Sequence, residues 1–598
     1  MKLRKLDVER FRSLRSFDLE LDNFLVLVGE NNHGKSNTLH ALQAFLSRAG
    51  REISKDDFYN KEISEPIRIT ATFGNLTPGE LEKLQAWVVE GKLMVTKEYI
   101  LDSENEVTIN YYAFMKVPEN SWLDENFPDY HNREVVSKLP LYGLLPQSGR
   151  ITKDNYSDAV KNYTLANQNT IKYKIENRKN PTGFRQLLRA YLPEFHLVPA
   201  IRDVADETRA STSATLFGRI LAVVVERIAR NNPAFQKLAG SLHEMKMLIQ
   251  GSSPEHKIAE IKDLEEKMKT ELSAWGVGVS IGVDTPDPRD VIAAGTHITI
   301  DDGIATDISF KGHGLQRAFL FALIHIWAST LGESTEIEGA TIFAFEEPEL
   351  FLHPQVCRAT YEALKKISTV DQVVICSHSP QFINLEDYRS IAVIRKKSSA
   401  EGTKAFSVKQ DLFQLGSEDD KRFKIIQFFN PDRNELFFAR KVILTEGASE
   451  KAVLPLLARR VGVYDHRVSI VDCSSKFNLV PCIKVLNAFE IPYLVVHDDD
   501  PVDPSLQPGN SKYDPQRLAE ANHLHQENRV ITQAVNQRVG SVEIVSPDLE
   551  AFLGISGSRV DAVGKPYATI EKFADEHTSI PPKVSQLVCS VFSPTQAS

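Results

Sequence analysis

Residues 29–36, Gly29-Glu30-Asn31-Asn32-His33-Gly34-Lys35-Ser36, followed by Asn37, fit the pattern G-x-x-x-x-G-K-[ST]. The run before it, Phe24-Leu25-Val26-Leu27-Val28, is short and wholly apolar, as a buried strand requires. From about Asn37 to Leu46 the apolar residues recur at helical spacing. A glycine-rich turn between a buried strand and a helix is the setting of a phosphate-binding loop. Backbone N–H groups and the helix N-terminus cradle phosphates, Lys35 reaches the β and γ oxygens, and Ser36 coordinates Mg²⁺. Gly29, Asn31, Asn32, Gly34, Lys35, Ser36 and Asn37 are therefore the expected ATP-binding residues.

Working outward, Leu3 to Phe11 and Ser16 to Leu21 suggest two more strands, and residues 66–115 are β-rich. Residues 116–190 are polar and read only as a variable insertion. Thr212 to Arg230 and His256 to Trp275 carry apolar residues at steps of three and four. The second is too short for a long coiled-coil arm and fits a packing or dimerisation helix. Strand–helix alternation returns over 290–395. Residues 398–435 are polar and charged, suggesting a linker or connecting helix. From Phe438 a new βαβ pattern begins.

Composition bounds what such a chain does. At 598 residues, 42% hydrophobic and 25% charged, it is of ordinary globular composition with room for several domains. Lys and Arg number 70 against 80 Asp and Glu, a net charge of -10, which excludes a protein coating DNA by bulk charge. The five cysteines are scattered with no CxxC pair, as expected of reduced thiols in a cytoplasmic protein. The N-terminus lacks the apolar core of a signal peptide, and Ala318 to Ala328 is too short to span a bilayer, so no membrane is expected.

Thr341-Ile342-Phe343-Ala344-Phe345-Glu346-Glu347 is an apolar strand ending in two carboxylates, a Walker B element. Glu346 is expected to hold Mg²⁺ through water and Glu347 to orient the attacking water. Cys376-Ser377-His378 ends another apolar strand and offers His378 to the γ-phosphate. Between the loop and Walker B, Ser309-Phe310-Lys311-Gly312-His313-Gly314-Leu315-Gln316-Arg317 leads into a helix. It resembles the signature motif of ABC ATPases, with Ser309, Gly312, Gly314 and Gln316 as its ligands to ATP. That resemblance implies two heads meeting to complete two ATP sites. The motif is not LSGGQ and the first Walker B acid is Glu, so ATP is either hydrolysed or acts mainly as a bound regulator.

A second constellation is acidic. Glu446-Gly447-Ala448-Ser449-Glu450 falls at a strand-to-helix turn, where Gly447 permits a tight bend and the two glutamates can face one point. Downstream, a strand ends in His497-Asp498-Asp499-Asp500, and alternation puts Asp498 and Asp500 on one side. Such hard oxygen ligands suit Mg²⁺ or Mn²⁺. Two ions about 4 Å apart would activate a water and stabilise a phosphodiester leaving oxygen. Glu550 is either a further metal ligand or an ordinary helix-start acid. Lys565 in Gly564-Lys565-Pro566 is either a stabiliser of transition-state charge or a solvated loop lysine.

The order of glutamate at a strand end and DxD after a later strand resembles the Toprim domain. Nearly the whole chain, apart from residues 116–190, resembles the OLD (overcoming lysogenization defect) family. The likeness is carried by GENNHGKSN at 29–37, HLVPAIRD at 196–203, KGHGLQR at 311–317, FEEPELFLHP at 345–354, SHSPQF at 377–382, TEGASE at 445–450, HDDD at 497–500, PDLEAFL at 547–553 and GKPYA at 564–568. It implies an α/β chain: an ABC-type P-loop ATPase head with an inserted helical dimerisation region, then a C-terminal Toprim domain. The expected boundaries are 1–203 and 286–397 for the two ATPase parts, 204–285 for the helical insertion, 398–437 for a linker and 438–598 for Toprim. It implies catalytic roles for Glu446, Glu450, Asp498, Asp500, Glu550, Lys565 and Glu347. It implies metal at the first five of these and at Ser36 and Glu346. The implied activity is metal-dependent DNA nicking or cleavage, regulated by ATP, in defence against phage. The implied partners are phage or plasmid DNA, a second copy in a homodimer or tetramer, and a helicase-like or reverse-transcriptase (retron) partner. The competing expectations are an SMC- or RecF-like DNA clamp with an inactive Toprim domain, and topoisomerase strand passage, for which no breakage domain is visible. Residues 441–598 carry 15 Lys and Arg against 19 Asp and Glu, so DNA contact is sought instead in Lys172 to Arg189 and Lys421-Arg422-Phe423-Lys424, runs that are otherwise solvated faces.

Overall fold

The computed structural model describes residues 1–47, 53–124, 127–167, 170–199, 259–272, 299–312, 341–350, 352–398, 400–422, 431–510, 512–555 and 564–593, with isolated positions between them. The expected helix Thr212 to Arg230, Gly314, the side chain of Ser309, residues 200–203 of the HLVPAIRD segment, and Phe423 and Lys424 lie outside the described residues. The chain divides into two compact units: 1–197 with 339–346 and 371–598, and 198–338 with 347–370.

The first unit is built on three sheets. One is antiparallel, in the order Leu14–Glu20, Lys2–Phe11, Ile67–Gly74, Lys92–Leu101, Val107–Pro118, Tyr173–Lys179, with Val88–Val89 pairing on Lys92–Leu101. The last strand comes from the segment read only as an insertion. Its sequence, YKIENRK, exposes nearly every side chain, the guarded character of an edge strand. The rest of that insertion packs its own small core of Val136, Leu141, Leu145, Ile151, Tyr156, Ala159 and Val160.

The second sheet runs Gly402–Ser407, Ile391–Ser398, Phe24–Val28, Gln372–Cys376, Thr341–Glu346, Glu194–Val198. Phe24–Val28 is fully buried, and Ile391–Ser398, Gln372–Cys376 and Thr341–Glu346 continue the parallel pairing on either side of it. Gly402–Ser407 lies in the stretch expected as a linker. It pairs antiparallel with Ile391–Ser398, because after that strand the chain turns straight back. One continuous core joins both sheets, drawing on Leu3, Phe11, Leu25, Leu27, Phe45, Phe73 and Val374.

The third sheet is parallel, in the order Val468–Asp472, Lys441–Thr445, Tyr493–Asp498, Gly540–Val545. The helices Ala448–Val461, Lys565–Ala574 and Pro582–Phe592 cover it over Leu454, Leu457, Phe573 and Val588. The two central strands, Lys441–Thr445 and Tyr493–Asp498, are buried along their length and read as near-continuous apolar runs, whereas Val468–Asp472 and Gly540–Val545 at the ends of the sheet are only partly buried.

In the second unit, the helix Pro354–Ile367 opens with proline at its first turn and buries Cys357, Tyr361, Leu364 and Ile367. Ala259–Glu271 is helical as expected and buries none of its residues in this chain. All five cysteines are free.

Candidate functional sites

Parallel sheets place their working residues where strands end. Phe24–Val28 delivers Gly29, Thr341–Glu346 delivers Glu346, and Gln372–Cys376 delivers Ser377 and His378, with Glu346 in register with Cys376 and Cys376 with Leu27. The loop between Gly29 and Lys35 has the conformation its glycines allow. Gly29 has φ 138° and Gly34 φ 102°. A Cβ on Gly29 would lie 2.3 Å from the carbonyl oxygen of Ile394. Asn32 also takes a left-handed φ, of 63°.

Lys35 starts the helix Lys35–Leu46 and is buried, its ammonium donating to the carbonyls of Gly29 at 2.8 Å and Glu30 at 2.9 Å. Ser36 and Asn37 are half-buried beside it. His378 feels that ammonium. Burial first, and then Lys35, pull its imidazole down to about 4, so it is neutral at physiological pH. Two supports were not legible in the sequence. Thr403, on the unexpected strand Gly402–Ser407, donates to the His33 carbonyl at 3.0 Å and to Ser13 Oγ at 3.0 Å. Asn37 donates to Ser13 Oγ at 2.9 Å and accepts from Arg12, whose Nε is held by Asp57 at 2.8 Å.

In the second unit, Glu347 takes a left-handed φ of 45° immediately after the Walker B strand. Ser309 lies in the single turn Ile308–Phe310. Gly312 begins a helical turn, its carbonyl accepting from the N–H groups of Leu315 and Gln316 at 3.0 and 3.1 Å. The buried Gln316 donates back to the Lys311 carbonyl at 2.9 Å.

The acidic constellation assembles at the ends of the third sheet. Glu446 follows Lys441–Thr445, and Glu450, in the first turn of Ala448–Val461, is buried. Gly447 has φ -152°, so no left-handed turn is made there. A Cβ there would make only ordinary contact with Glu450 Oε2, at 3.7 Å, so close approach does not require the glycine either. Asp498 ends its strand, buried. Asp500 departs from the expected alternation: the chain has left the strand and its φ is 47°. Glu550 is buried in the first turn of Leu549–Leu553, a helix whose N-cap is Asp548. Lys565 is not in a loop but is the first residue of Lys565–Ala574, and it donates to Glu550 at 3.1 Å.

These carboxylates repel one another in a poorly solvated place. Burial, then Glu446, Glu450, Asp500 and Glu550, push Asp498 up to about 8. Burial, with Glu446 and Glu550, pushes Glu450 up to about 7, and burial also raises Glu446. Clustered hard-oxygen acids short of positive charge fit a divalent cation such as Mg²⁺ or Mn²⁺. Among the described residues, however, no three His, Cys, Asp or Glu side chains are already disposed around one point. The reason is visible in their partners. Glu446 Oε1 accepts from the Asp498 N–H at 2.8 Å, Asp498 Oδ1 from the Leu549 N–H at 2.8 Å, and Glu550 from Lys565. Asp500 Oδ2 accepts from Lys476 at 2.8 Å. Lys476 was not anticipated, since a lysine in a Ser-Lys-Phe-Asn turn reads like any surface lysine.

A P-loop head followed by a parallel α/β domain with an acidic strand-end cluster defines an ATPase joined to a Toprim domain. The AAA ATPase domain family matches residues 1–383, and the overcoming lysogenization defect protein-like TOPRIM domain family matches residues 437–500. The chain belongs to the AAA ATPase domain family, and the segment after that domain matches the TOPRIM domain of overcoming lysogenization defect-like proteins. It is 24% identical over 598 residues to the OLD nuclease of Thermus scotoductus, covering 97% of this chain and 96% of that one. It is 23% identical over 513 residues to the Old nuclease of Escherichia phage P2, covering 84% and 77%. To the endonuclease GajA of Bacillus cereus it is 21% identical over 456 residues, covering 75% and 66%.

Proposed function

We propose that this protein is a divalent-metal-dependent DNA endonuclease whose cutting centre is the Toprim acid cluster and whose ATPase head regulates it, in defence against phage. The observation that carries the reading is the cluster itself. Four acids from two strand ends and two helix starts, Glu446, Asp498, Glu450 and Glu550, are buried or half-buried within electrostatic reach of one another. Such a set is costly to fold and is kept where function needs it.

In this reading Glu446, Glu450, Asp498, Asp500 and Glu550 hold one or two Mg²⁺ or Mn²⁺ ions, which supply an activated water and neutralise the leaving oxygen. Lys565 is 58% exposed and ion-paired only at its tip, so it can turn from Glu550 to a phosphate. In the head, Gly29, Asn31, Asn32, Gly34, Lys35, Ser36 and Asn37 bind ATP. Glu346 with Ser36 serves its Mg²⁺, Glu347 orients water, and neutral His378 faces the γ-phosphate. Ser309, Gly312, Gly314 and Gln316 cap ATP on a second copy, giving a homodimer or tetramer. The helical insertion 204–285 extends that pairing: Leu264 and Met268 of Ala259–Glu271 are exposed apolar residues in the single chain. The proposed boundaries are those expected from the sequence, 1–203 and 286–397 for the head and 438–598 for Toprim, except that Gly402–Ser407 pairs in the head's sheet and extends the head into the expected 398–437 linker.

For DNA the candidate surface narrows. Lys174 and Arg178 spend their charge on Glu176 and Asp124. Arg422 donates to the Phe477 carbonyl at 3.2 Å. Arg185 and Arg189 instead line a cavity of about 530 Å³ with Tyr111, Asn180 and Gln186, a setting suited to a phosphate backbone. Plasmid nicking with Mg²⁺ or Mn²⁺, with and without ATP, tests the reading. Wild type is expected to nick, and Glu446→Ala to lose at least about 100-fold. Equal nicking by the variant would remove the nuclease assignment from this site.

A further inference from the structure

Lys476 lies in the turn between Val468–Asp472 and the helix Leu479–Ala488, and its side chain is 1% exposed. A buried ammonium is tolerated only when paired and hydrogen-bonded. Here Nζ donates to the Asp498 carbonyl at 2.6 Å and to Asp500 Oδ2 at 2.8 Å, and it stands 3.8 Å from Glu446 Oε1. One cation thus touches two of the expected metal ligands and the backbone of a third. The left-handed φ of Asp500 turns the chain out of the strand just where its carboxylate meets that ammonium. The turn is itself anchored: Arg433, buried, donates to Ser474 Oγ at 2.7 Å, and Asn478 donates to the Cys473 carbonyl at 2.8 Å.

Lys565 makes a useful contrast. It reaches Glu550 from a solvent-exposed stem and is free to meet a substrate. Lys476 is sealed beneath the cluster and has no such access. Its ammonium meets Asp500, Glu446 and the Asp498 carbonyl.

We infer that Lys476 is the resident counter-cation of the acidic centre. It is a positioning residue that holds Asp500 and Glu446 together in the metal-free protein and yields Asp500 when a divalent ion takes that carboxylate. This rests on the proposed metal site. A metal must compete with Lys476, so the lysine sets how tightly the site loads.

The test is Mn²⁺ titration of the full-length protein by calorimetry without nucleotide, with thermal melting at zero and saturating Mn²⁺. Asp498→Asn supplies the background from sites elsewhere. Lys476→Met is expected to bind Mn²⁺ about tenfold more tightly than wild type. It is also expected to melt lower without metal and to gain more from Mn²⁺ than wild type gains. Lys476→Gln keeps polar contacts in the pocket, serves if the Met variant does not fold, and is expected to shift affinity in the same direction. Unchanged or weaker Mn²⁺ affinity in a folded variant overturns the inference. So does a melting loss that is equal with and without Mn²⁺, which is the mark of a merely structural lysine. Wild type showing no binding above the Asp498→Asn background would instead remove the metal site on which the inference stands.

Discussion

At the residue scale the nucleotide loop is tightly constrained. Gly34 has φ 102°, and a Cβ there would meet Ser13 Oγ and Thr403 Oγ1, each at 2.7 Å. Gly34→Ala is therefore expected to cost about 1–3 kcal/mol locally and to abolish binding of a fluorescent ATP analogue. Binding at wild-type affinity would show that the loop does not need this conformation. Legibility was uneven among the site residues. The P-loop could be read because its spacing is itself the geometry. Glu446, Glu450 and Asp498 could be read because each terminates an apolar run or begins the helix after one. Asp500 does reach the cluster, but not by alternation, because a period of two holds only inside a strand and the strand stops at Asp498. Lys476 was missed because a buried cation is defined by what surrounds it, and those groups arrive from Lys441–Thr445 and Tyr493–Asp498.

At the element scale, fully buried strands were found nearly to the residue, Phe24–Val28 above all, whereas Tyr173–Lys179 and Gly402–Ser407 were not. Both of the latter are terminal strands of their sheets, so their pairing is set by a neighbour and their sequences carry little apolar periodicity. One strand carries an unusual burden. Lys97, inside Lys92–Leu101, is buried, donates to the Phe45 carbonyl and lies over the rings of Phe45 and Tyr111. Burial, with Arg189 and Arg185 nearby, lowers it to about 7 from 10.5. The sign follows directly. Between those values the unfolded chain binds the extra proton, so stability rises with pH from about 7 toward 10. Below 7 both states are protonated and the penalty is fully present. Denaturant midpoints at pH 7 and pH 9 are expected to rise more in wild type than in Lys97→Met. An equal rise in both would place the effect elsewhere, for instance at Lys441, which burial lowers to about 8.

At the scale of the whole molecule, the first compact unit joins nucleotide sheet and acidic sheet through specific bonds. Asn434 donates to the carbonyls of Pro380 and Ile383, just beyond His378, and its neighbour Arg433 holds Ser474 in the turn that carries Lys476. Arg395 donates to the Glu490 carbonyl at 2.6 Å, ahead of the strand that ends at Asp498. The acidic composition that excluded bulk DNA coating also finds a partial explanation, since the proposed cutting centre is a compact set of carboxylates. On the proposed reading two separable centres share one chain, one for nucleotide and one for phosphodiester cleavage. The most direct test is a single preparation of Asp498→Asn assayed for both ATP turnover and Mn²⁺-dependent plasmid nicking against wild type. Nicking is expected to fall at least about 100-fold while ATP turnover stays within about twofold of wild type. Nicking that survives the substitution would contradict that reading.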